Sequence, residues 1–354
     1  MKIGLFGIYP PPIGGISVHI KRLSAFLYKK NIDVTVYSNC EKKGNESYVR
    51  EVKNKKIQHI ENLFNSKDDI IHIHSHSWKE RAILTCVSKF YGKIFIMTIH
   101  SLKEKWDELN LMDRILVKYV LKYSTKIISV GVNEKKKLVS WGCSEDKIVV
   151  LPAYINPIEI IEDRQKIPRE VWSFIDKSKF IISANGCIRF HRGEDLYGID
   201  MLIDLVHRLK NSYDVSLIIA LLDVYGQGDE QRRYYKELRE KISKLSLQEK
   251  IFIFEVKDTE FYPILQKSNL FIRPTNTDGD AISLREALYF KIPSIASDIV
   301  ARPKGTISFK NRDIDDLEEK VIDIIRNYDK HKRKLKDIKI KDYAQDVLNL
   351  YESI

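Results

Sequence analysis

Short apolar segments separated by helical patterns recur along the whole chain, and they constrain its fold more than any other feature. In the first half these segments, rich in Ile and Val, are 2–9, 33–38, 69–75, 93–100, 126–130 and 147–151. Continuous apolar strands that alternate with helices are typical of a parallel sheet covered on both faces. The first half is therefore predicted to be a doubly wound α/β domain.

A second series of such segments follows. Its predicted strands are 179–184, 216–222, 250–255, 270–273, 293–297 and 306–309, with helical patterns at 199–210 and 230–243. A chain of 354 residues also exceeds what one hydrophobic core usually supports. We therefore predict an α/β protein of two Rossmann-like domains that face each other across a cleft.

The boundary between the domains is predicted from a change in pattern. The segment 153–169 carries Pro157 and Pro168 and lacks periodicity, which indicates a hinge near 154–161. The predicted domains are 1–157 and 158–342. Helical spacing returns in 343–354, and this final helix is expected to pack back on the first domain.

Cysteine use and hydropathy restrict the compartment. The four cysteines are scattered, with no paired spacing for zinc and no dense framework for disulfides. The apolar N-terminal segment breaks at Pro10, which makes it too short for a signal peptide. No window approaches the roughly 20 apolar residues that span a bilayer. A cytoplasmic protein, soluble or peripheral on the inner face of the membrane, is expected.

The net charge of +11 favours a negatively charged partner. Eight of the basic residues lie between Arg326 and Lys341. One interpretation of this charge is a nonenzymatic protein that binds anions through this segment. The other is a compositional bias toward Lys along the whole chain. Because no aromatic stacking run or nucleic-acid module accompanies the charge, no nucleic-acid partner is expected.

Ligands of open α/β sheets bind beyond the carboxyl ends of the strands, so the polar residues there are the candidate site. Gly14 and Gly15 follow the first strand and precede a helix. Glycine lets a ligand approach the backbone, and the helix N-terminus favours an anionic group. A tight turn without a ligand is the alternative.

Histidines concentrate at two strand ends. His72, His74 and His76 alternate along one segment and so share a side, which resembles a metal site. No fourth ligand is evident, and hydrogen bonds to backbone are the commoner use of such residues, so no metal is predicted. His100 ends the next strand and is the candidate catalytic histidine, with a structural role as the alternative.

In the second domain, the residues after its first strand include Gly186, Arg189 and Arg192. Guanidinium groups suit phosphate oxygens, so these arginines are candidates for neutralising a diphosphate. Solvated loop arginines are the alternative.

The segment 273–288 forms an acidic, glycine-containing turn between a predicted strand and a helix. Its candidate ligand-binding residues are Thr275, Asp278, Gly279, Asp280, Ala281, Ile282, Ser283 and Glu286. Asp278 and Asp280 also form the Asp-x-Asp triplet that holds a divalent metal on a nucleotide sugar in other enzymes, although this triplet is short and common by chance.

Together, Gly14-Gly15, the segment Thr98-Ile-His100, Pro152, and Asp278 followed by Glu286 resemble the retaining GT-B glycosyltransferases of family 4, the glycosyl transferases group 1. The resemblance covers nearly the whole chain. Its most specific part is 270–298, with a strand, an acidic-Gly turn, a Glu-Ala-Leu helix start and a Pro-containing strand in the family's order.

The resemblance implies a hexosyltransferase that moves a sugar from a UDP- or GDP-sugar to a glycan or lipid-linked acceptor in cell-surface polysaccharide synthesis. Glu286 would accept hydrogen bonds from the ribose, Asp278 would contact the donor sugar, and His100 would lie beside the transferred sugar. Gly15 would let the backbone touch the donor phosphate. No metal or other cofactor is expected beyond the nucleotide sugar as co-substrate.

Two positions depart from the family. Asp278 stands where the family usually has Glu, and Tyr197-Gly198 stands where it commonly has Lys-Gly. Arg189 or Arg192 is expected to supply the missing positive charge.

The segment 109–124 suggests a membrane-facing helix. Arg114, Lys118 and Lys122 fall four apart and share a stripe beside Leu111, Ile115 and Leu121. An ordinary surface helix is the alternative. For the whole chain, a sugar-nucleotide epimerase of GT-B-like fold and a metal-dependent GT-A glycosyltransferase are the competing enzyme classes.

Overall fold

The computed structural model describes residues 1–38, 46–52, 67–102, 104–224, 226–279 and 281–354. Contacts within the chain divide it into two compact units. Unit 1 contains Met1–Ile155 and Asp342–Ile354, and unit 2 contains Asn156–Lys341.

Unit 1 is a parallel sheet with helices. In the described part of the chain its strands are β1 (Lys2–Gly7), β2 (Asp33–Ser38), β3 (Val49–Glu51), β4 (Ile70–Ile73), β5 (Ile94–Ile99), β6 (Lys126–Ser129) and β7 (Ile148–Val150). Its α-helices are α1 (Gly15–Lys29), α2 (Trp78–Phe90), α3 (Leu111–Tyr123), α4 (Val132–Ser140) and the last helix of the chain, α13 (Ala344–Glu352). The strand order is β3-β2-β1-β4-β5-β6-β7, and each neighbouring pair is parallel.

Unit 2 repeats the design. Its strands among the described residues are β8 (Phe180–Gly186), β9 (Phe190–His191), β10 (Glu194–Asp195), β11 (Val215–Leu222), β12 (Ile251–Val256), β13 (Leu270–Arg273), β14 (Ser294–Ser297) and β15 (Ile307–Phe309). Its α-helices are α5 (Ile161–Gln165), α6 (Arg169–Asp176), α7 (Ile199–Leu209), α8 (Asp229–Lys244), α9 (Tyr262–Leu265), α10 (Ile282–Tyr289), α11 (Ile314–Arg326) and α12 (Tyr328–Lys334). A parallel sheet has the order β12-β11-β8-β13-β14-β15, and β9 and β10 form a separate antiparallel hairpin.

The inner strands are mainly apolar because helices cover both faces of each sheet. In β4, Ile70, Ile71 and Ile73 are all buried, and every residue of β11 from Val215 to Leu221 is buried. Such strands appear in a sequence as unbroken apolar runs. The predicted fold class, two Rossmann-like doubly wound domains, is confirmed.

Helix α13 completes the core of unit 1 although it lies at the far end of the chain. Val347, Leu348 and Tyr351 are buried in the cluster that contains Ile3 and Leu5 of β1. Each large apolar side chain buried in this way contributes about 1.5–3 kcal/mol. The helix begins where the Asp342 carboxylate accepts a hydrogen bond from the Ala344 amide at 2.7 Å.

Three features were missed by the sequence pattern. Strand β3 and the hairpin strands have only two or three residues each, too few to show alternation. The segment without periodicity holds the short helix α5 and leads into α6.

No helix in the described part of the chain is long and apolar enough to cross a membrane.

Candidate functional site

Four histidines lie together at the carboxyl edge of the unit 1 sheet. His19 is on α1, His72 is in β4, and His74 and His100 directly follow β4 and β5. His19, His72 and His74 are buried, whereas His100 is partly exposed. Parallel strands bring their carboxyl ends to one edge, so residues distant in sequence meet there.

Hydrogen bonds link these rings to the terminal helix. His72 contacts the Tyr351 hydroxyl through Nδ1 at 2.5 Å and the Thr98 hydroxyl through Nε2 at 2.7 Å. His74 Nδ1 lies 3.1 Å from His100 Nε2. The chain of contacts therefore runs from α13 through β4 to the end of β5.

The protonation of His19 follows from its partner. Its Nδ1 lies 2.8 Å from the carbonyl oxygen of Ala153. Because a carbonyl oxygen only accepts, Nδ1 carries the proton and Nε2 keeps its lone pair when the ring is neutral.

Burial keeps these imidazoles neutral. It lowers the pKa of His19 to about 4 and that of His72 to about 3, since charging a buried ring loses hydration. The pKa values of His74 and His100 are lowered well below the usual range by burial and then by the neighbouring histidines. At neutral pH these rings can both donate and accept hydrogen bonds.

The structure does not keep the alternating histidines as one set. His76 is exposed, and His72 uses both ring nitrogens on Thr98 and Tyr351. The His74 ring centroid is 4.1 Å from that of His72, and it also lies 5.2 and 5.4 Å from those of His19 and His100. Alternation correctly places the side chains on one face of a strand, but β4 ends at Ile73 and the chain turns after it.

The Gly14-Gly15 loop leads into α1 in unit 1. Gly14 is the N-cap residue and offers no side-chain hydrogen bond, and no acidic residue lies in the first turn. A Cβ added to Gly14 would meet only the Ser17 hydroxyl, at 3.9 Å. The fold of this unit therefore does not by itself require glycine at position 14.

In unit 2, Asp278 is the centre of a buried ion-pair network. Arg273 donates two hydrogen bonds to its carboxylate, both at 2.8 Å, and Arg302 donates one at 2.8 Å. The Thr275 hydroxyl and the Gly279 amide donate two more, at 3.1 and 3.0 Å. The side chains of Arg302 and Asp278 are only 4% and 7% exposed.

This network determines the charge of Asp278. Burial alone would raise its pKa, but Arg273 and then Arg302 outweigh burial and lower the pKa to about 2. The carboxylate is thus ionised throughout the physiological range, and both of its oxygens are occupied by donors.

The other predicted residues of this segment lie between β13 and α10. Thr275, Ala281, Ser283 and Glu286 are buried, Ile282 is partly buried, and Gly279 is exposed. Glu286 occupies the second turn of α10. Asp280 lies outside the described residues, so only Asp278 of the predicted Asp-x-Asp pair can be described.

Close packing explains the presence of glycine at two positions, one at the end of β8 and one shortly after it. A Cβ at Gly186 would lie 2.5 Å from the ring of Tyr197. A Cβ at Gly198 would lie 2.6 Å from the carbonyl oxygen of Pro274, and Gly198 has a φ of +63° that favours glycine. Gly186, predicted as a donor-binding residue, thus makes room for Tyr197.

Arg189 and Arg192 belong to the hairpin β9–β10. Both are exposed, and Arg192 and Gly193 form its turn with φ values of 54° and 78°. This is the type I′ geometry that two-residue hairpin loops favour. Arg192 therefore lies at the tip of a hairpin, which the sequence had not indicated.

The hairpin ends at Asp195, whose carboxylate closes the N-terminus of α7. It accepts hydrogen bonds from the Tyr197 and Ile199 amides at 3.0 and 2.9 Å. Burial and then the nearby Asp200 raise the pKa of Asp195 to about 6. These amides are already used and are not open to a phosphate.

Sequence reasoning missed His19, Asp195 and Arg302. His19 lies one turn after Gly15 in α1, and its position near the start of the helix after β1 could have marked it as a residue at the carboxyl edge of the sheet. Arg302 follows β14 in a segment with no local pattern. Because it lies 24 residues from Asp278, no local sequence pattern could predict their contact.

Comparison with known families follows the same division of the chain. Residues 13–158 match Glycosyltransferase Family 4, and residues 185–342 match Glycosyl transferases group 1. With the fold, these matches define the chain as a two-domain GT-B glycosyltransferase, and hence an enzyme. It belongs to the glycosyltransferases that combine a family 4 N-terminal half with a group 1 C-terminal half, as the sequence resemblance predicted.

Similar proteins agree with this assignment. An uncharacterized glycosyltransferase of Methanocaldococcus jannaschii is 22% identical in an alignment that covers 92% of this chain and 89% of the relative. A glycosyltransferase from Rickettsia africae has a TM-score of 0.73 at 16% identity, over 99% of this chain and 98% of its own. The Anabaena HepE protein in complex with UDP has a TM-score of 0.69 at 12% identity, over the whole of both chains.

Acid should destabilise unit 1 between pH 6.5 and 4. The pKa values of His19 and His72 are below the ordinary value, so the unfolded chain binds more protons in this window and stability falls as pH falls. Each ring contributes a slope of about 1.4 kcal/mol per pH unit. The free energy of unfolding of unit 1 is measured at each pH by urea unfolding followed by tryptophan fluorescence. A Trp172→Phe background leaves the three tryptophans of unit 1 as reporters.

The matched variant is His72→Gln, which removes one titrating ring and should reduce the slope by about 1.4 kcal/mol per pH unit. Asp195 has the opposite sign because its pKa is raised, but it lies in unit 2. A flat stability of unit 1 from pH 6.5 to 4 would contradict neutral buried histidines.

Arg302→Met should destabilise unit 2 by about 2 kcal/mol, because it removes a charged hydrogen bond from a buried carboxylate. Asp278→Asn combined with Arg302→Met should cost less than the sum of the single changes. Arg232→Met is the control, since its ion pair with Asp229 is exposed and should contribute less than about 1 kcal/mol. Equal losses of unfolding free energy for Arg302→Met and Arg232→Met would refute the buried network.

Proposed function

We propose that this enzyme transfers a sugar from a UDP- or GDP-sugar to a glycan or lipid-linked acceptor of cell-surface polysaccharide, with retention of anomeric configuration. Unit 2 holds the donor and unit 1 the acceptor. UDP in the Anabaena structure supports the nucleotide diphosphate as donor class. The enzyme acts in the cytoplasm, at the inner face of the membrane.

The start of α10 is the observation that carries this proposal. Its N-cap residue, Ala281, provides no side-chain hydrogen bond, and its first turn has no acidic residue. Among the described helices, an N-cap side chain caps α2, α3 and α11, whereas α10, like α1, has no such hydrogen bond. An uncapped helix start offers amides and a partial positive charge to a diphosphate.

Space and charge around α10 suit the same ligand. A Cβ at Gly279 would meet nothing within 4 Å, which leaves the backbone open to close approach. Arg273, Arg302 and Asp278 together carry a net charge of +1. Fixed positive charge stabilises the diphosphate as it leaves, and no metal is needed for that step.

Glu286 is proposed to accept hydrogen bonds from the ribose hydroxyls, since a carboxylate can accept two neighbouring hydroxyls. The sugar contact proposed for Asp278 requires one of its five present hydrogen bonds to be exchanged when the donor binds. Arg189 and Arg192 are proposed to add positive charge from the hairpin.

His100 is proposed to lie beside the transferred sugar. It is the partly exposed ring of the histidine group, and it is neutral at physiological pH. A neutral imidazole can accept a hydrogen bond from a sugar hydroxyl without introducing a charge.

The competing classes are separated by fold and by reaction. The GT-B fold excludes a GT-A enzyme, and the two arginines on Asp278 already neutralise the carboxylate that a metal would need. An epimerase converts the donor sugar without an acceptor, so proton NMR of donor incubated alone distinguishes it. Transfer that requires acceptor and retains the anomeric configuration supports the proposal.

Glu286→Gln should weaken donor binding by about 10- to 100-fold, because hydrogen bonds to a charged group contribute about 1.5–3 kcal/mol. Calorimetric titration with UDP, GDP and their sugars measures this and also identifies the base. Glu319→Gln, at a 75% exposed position on α11, is the matched control. Donor affinity and turnover that are unchanged in Glu286→Gln would show that the ribose assignment is wrong.

Membrane contact is proposed for the start of α3. Leu111, Met112 and Ile115 are 76%, 61% and 55% exposed. Lys118 and Lys122 are exposed on the same helix, and Arg114 is partly exposed.

Leu121 is buried in the core, so it does not belong to the apolar surface that the sequence predicted. Exposed apolar side chains beside basic ones suit an anionic bilayer surface.

Lys118→Gln with Lys122→Gln should reduce binding to vesicles that contain phosphatidylglycerol by roughly 30-fold, since each basic residue contributes about 1 kcal/mol at such a surface. Cosedimentation at constant salt measures the affinity. The control carries Lys236→Gln and Arg239→Gln, exposed on α8. Equal binding of the two double variants would argue against a membrane face on α3.

A further inference from the structure

We propose that His19, His74 and His100 form a binding site for Zn²⁺ in unit 1. The three rings come from α1, the end of β4 and the end of β5. Their centroids are 5.2, 5.2 and 5.4 Å apart, a nearly equilateral triangle. One ligand atom from each ring can be chosen so that all lie within 4.8 Å of one another.

One edge of the triangle is close to the length that a tetrahedral ion needs. With Zn–N distances of about 2.0–2.1 Å, two nitrogens on the same ion lie about 3.4 Å apart. His74 Nδ1 and His100 Nε2 are 3.1 Å apart. These two rings therefore need to move only slightly, and His19 must approach them, for one ion to contact all three.

His19 has a lone pair available for a metal ion. His19 donates Nδ1–H to the Ala153 carbonyl oxygen, which leaves Nε2 as its ligand atom. A backbone carbonyl on the second nitrogen is the usual outer partner of a metal-bound histidine. His72 is excluded because Thr98 and Tyr351 occupy both of its nitrogens.

His74 adds an independent indication. Its side chain is buried, and among the described residues its Nε2 has no hydrogen-bond partner. Buried ring nitrogens are normally paired, and an unpaired one suggests a ligand at the site. Within the described residues its one hydrogen bond joins Nδ1 to His100 Nε2, so an ion that replaces this bond can take up both nitrogens as ligand atoms.

The surroundings select the kind of ion. The rings are neutral, the form that binds metal, but Arg22 and Arg81 lie close enough for their charges to act on His19 and His100. This repulsion disfavours weakly held ions, and Mg²⁺ and Ca²⁺ prefer oxygen ligands. Zn²⁺ binds imidazole strongly, and three protein ligands leave its fourth position to water or another molecule on the exposed side of His100.

Binding is tested on the full-length, tag-free protein after chelator treatment, without any sugar substrate, so the result is independent of the proposed transferase activity. Calorimetry with Zn²⁺ should show one ion per chain, and Co²⁺ should give the visible absorption of a tetrahedral site. Zn²⁺ should raise the melting temperature, and Mg²⁺ should not.

His19→Gln and His100→Gln should each lower Zn²⁺ affinity at least tenfold, whereas His207→Gln, at an exposed histidine of unit 2, should leave it unchanged. Circular dichroism in chelator verifies that each variant is folded, and the partly exposed His100 is the position where substitution perturbs the core least. Absence of stoichiometric binding, or Zn²⁺ affinity that survives both substitutions in folded protein, would overturn the proposal.

Discussion

The parallel direction of the strands is the constraint on which the rest of this structure depends. Because each neighbouring pair in both main sheets is parallel, the strands of a sheet end at one edge, and the residues that follow them are brought together there. Apolar side chains make up most of each strand, so polar groups collect mainly toward the strand ends and in the loops after them. Candidate functional residues therefore collect at one edge of each unit.

The two edges differ in their chemistry. In unit 1 the edge carries neutral, buried imidazoles, held in part by Tyr351 of the terminal helix. In unit 2 it carries Asp278 between two guanidiniums, beside a helix start that no side chain caps. Neutral rings suit hydroxyl groups or a transition metal, and an open helix start near positive charge suits a diphosphate. This difference supports the proposal that acceptor and donor bind to different units.

Much of the fold was predictable because its signals are local. The strand 33–38 was predicted with both bounds correct, and β13 likewise, since an apolar run bounded by polar turns is visible in a few residues. Helix α7 was predicted to within one residue at its end. The hairpin β9–β10 escaped because two-residue strands have no periodicity, and helix α5 because its five residues are too few to show a face.

The sequence by itself determined the two α/β units, the position of the longer strands and the segments in which most candidate residues would lie, because period and apolar content depend on neighbouring residues. Only the tertiary structure decided which of those residues meet. His72 and Tyr351 are 279 residues apart, Asp278 and Arg302 are 24 apart, and His19 joins His74 from a different helix. Such contacts depend on strand order, on register and on how each helix packs on its sheet, and these are properties of the folded chain that no local pattern records.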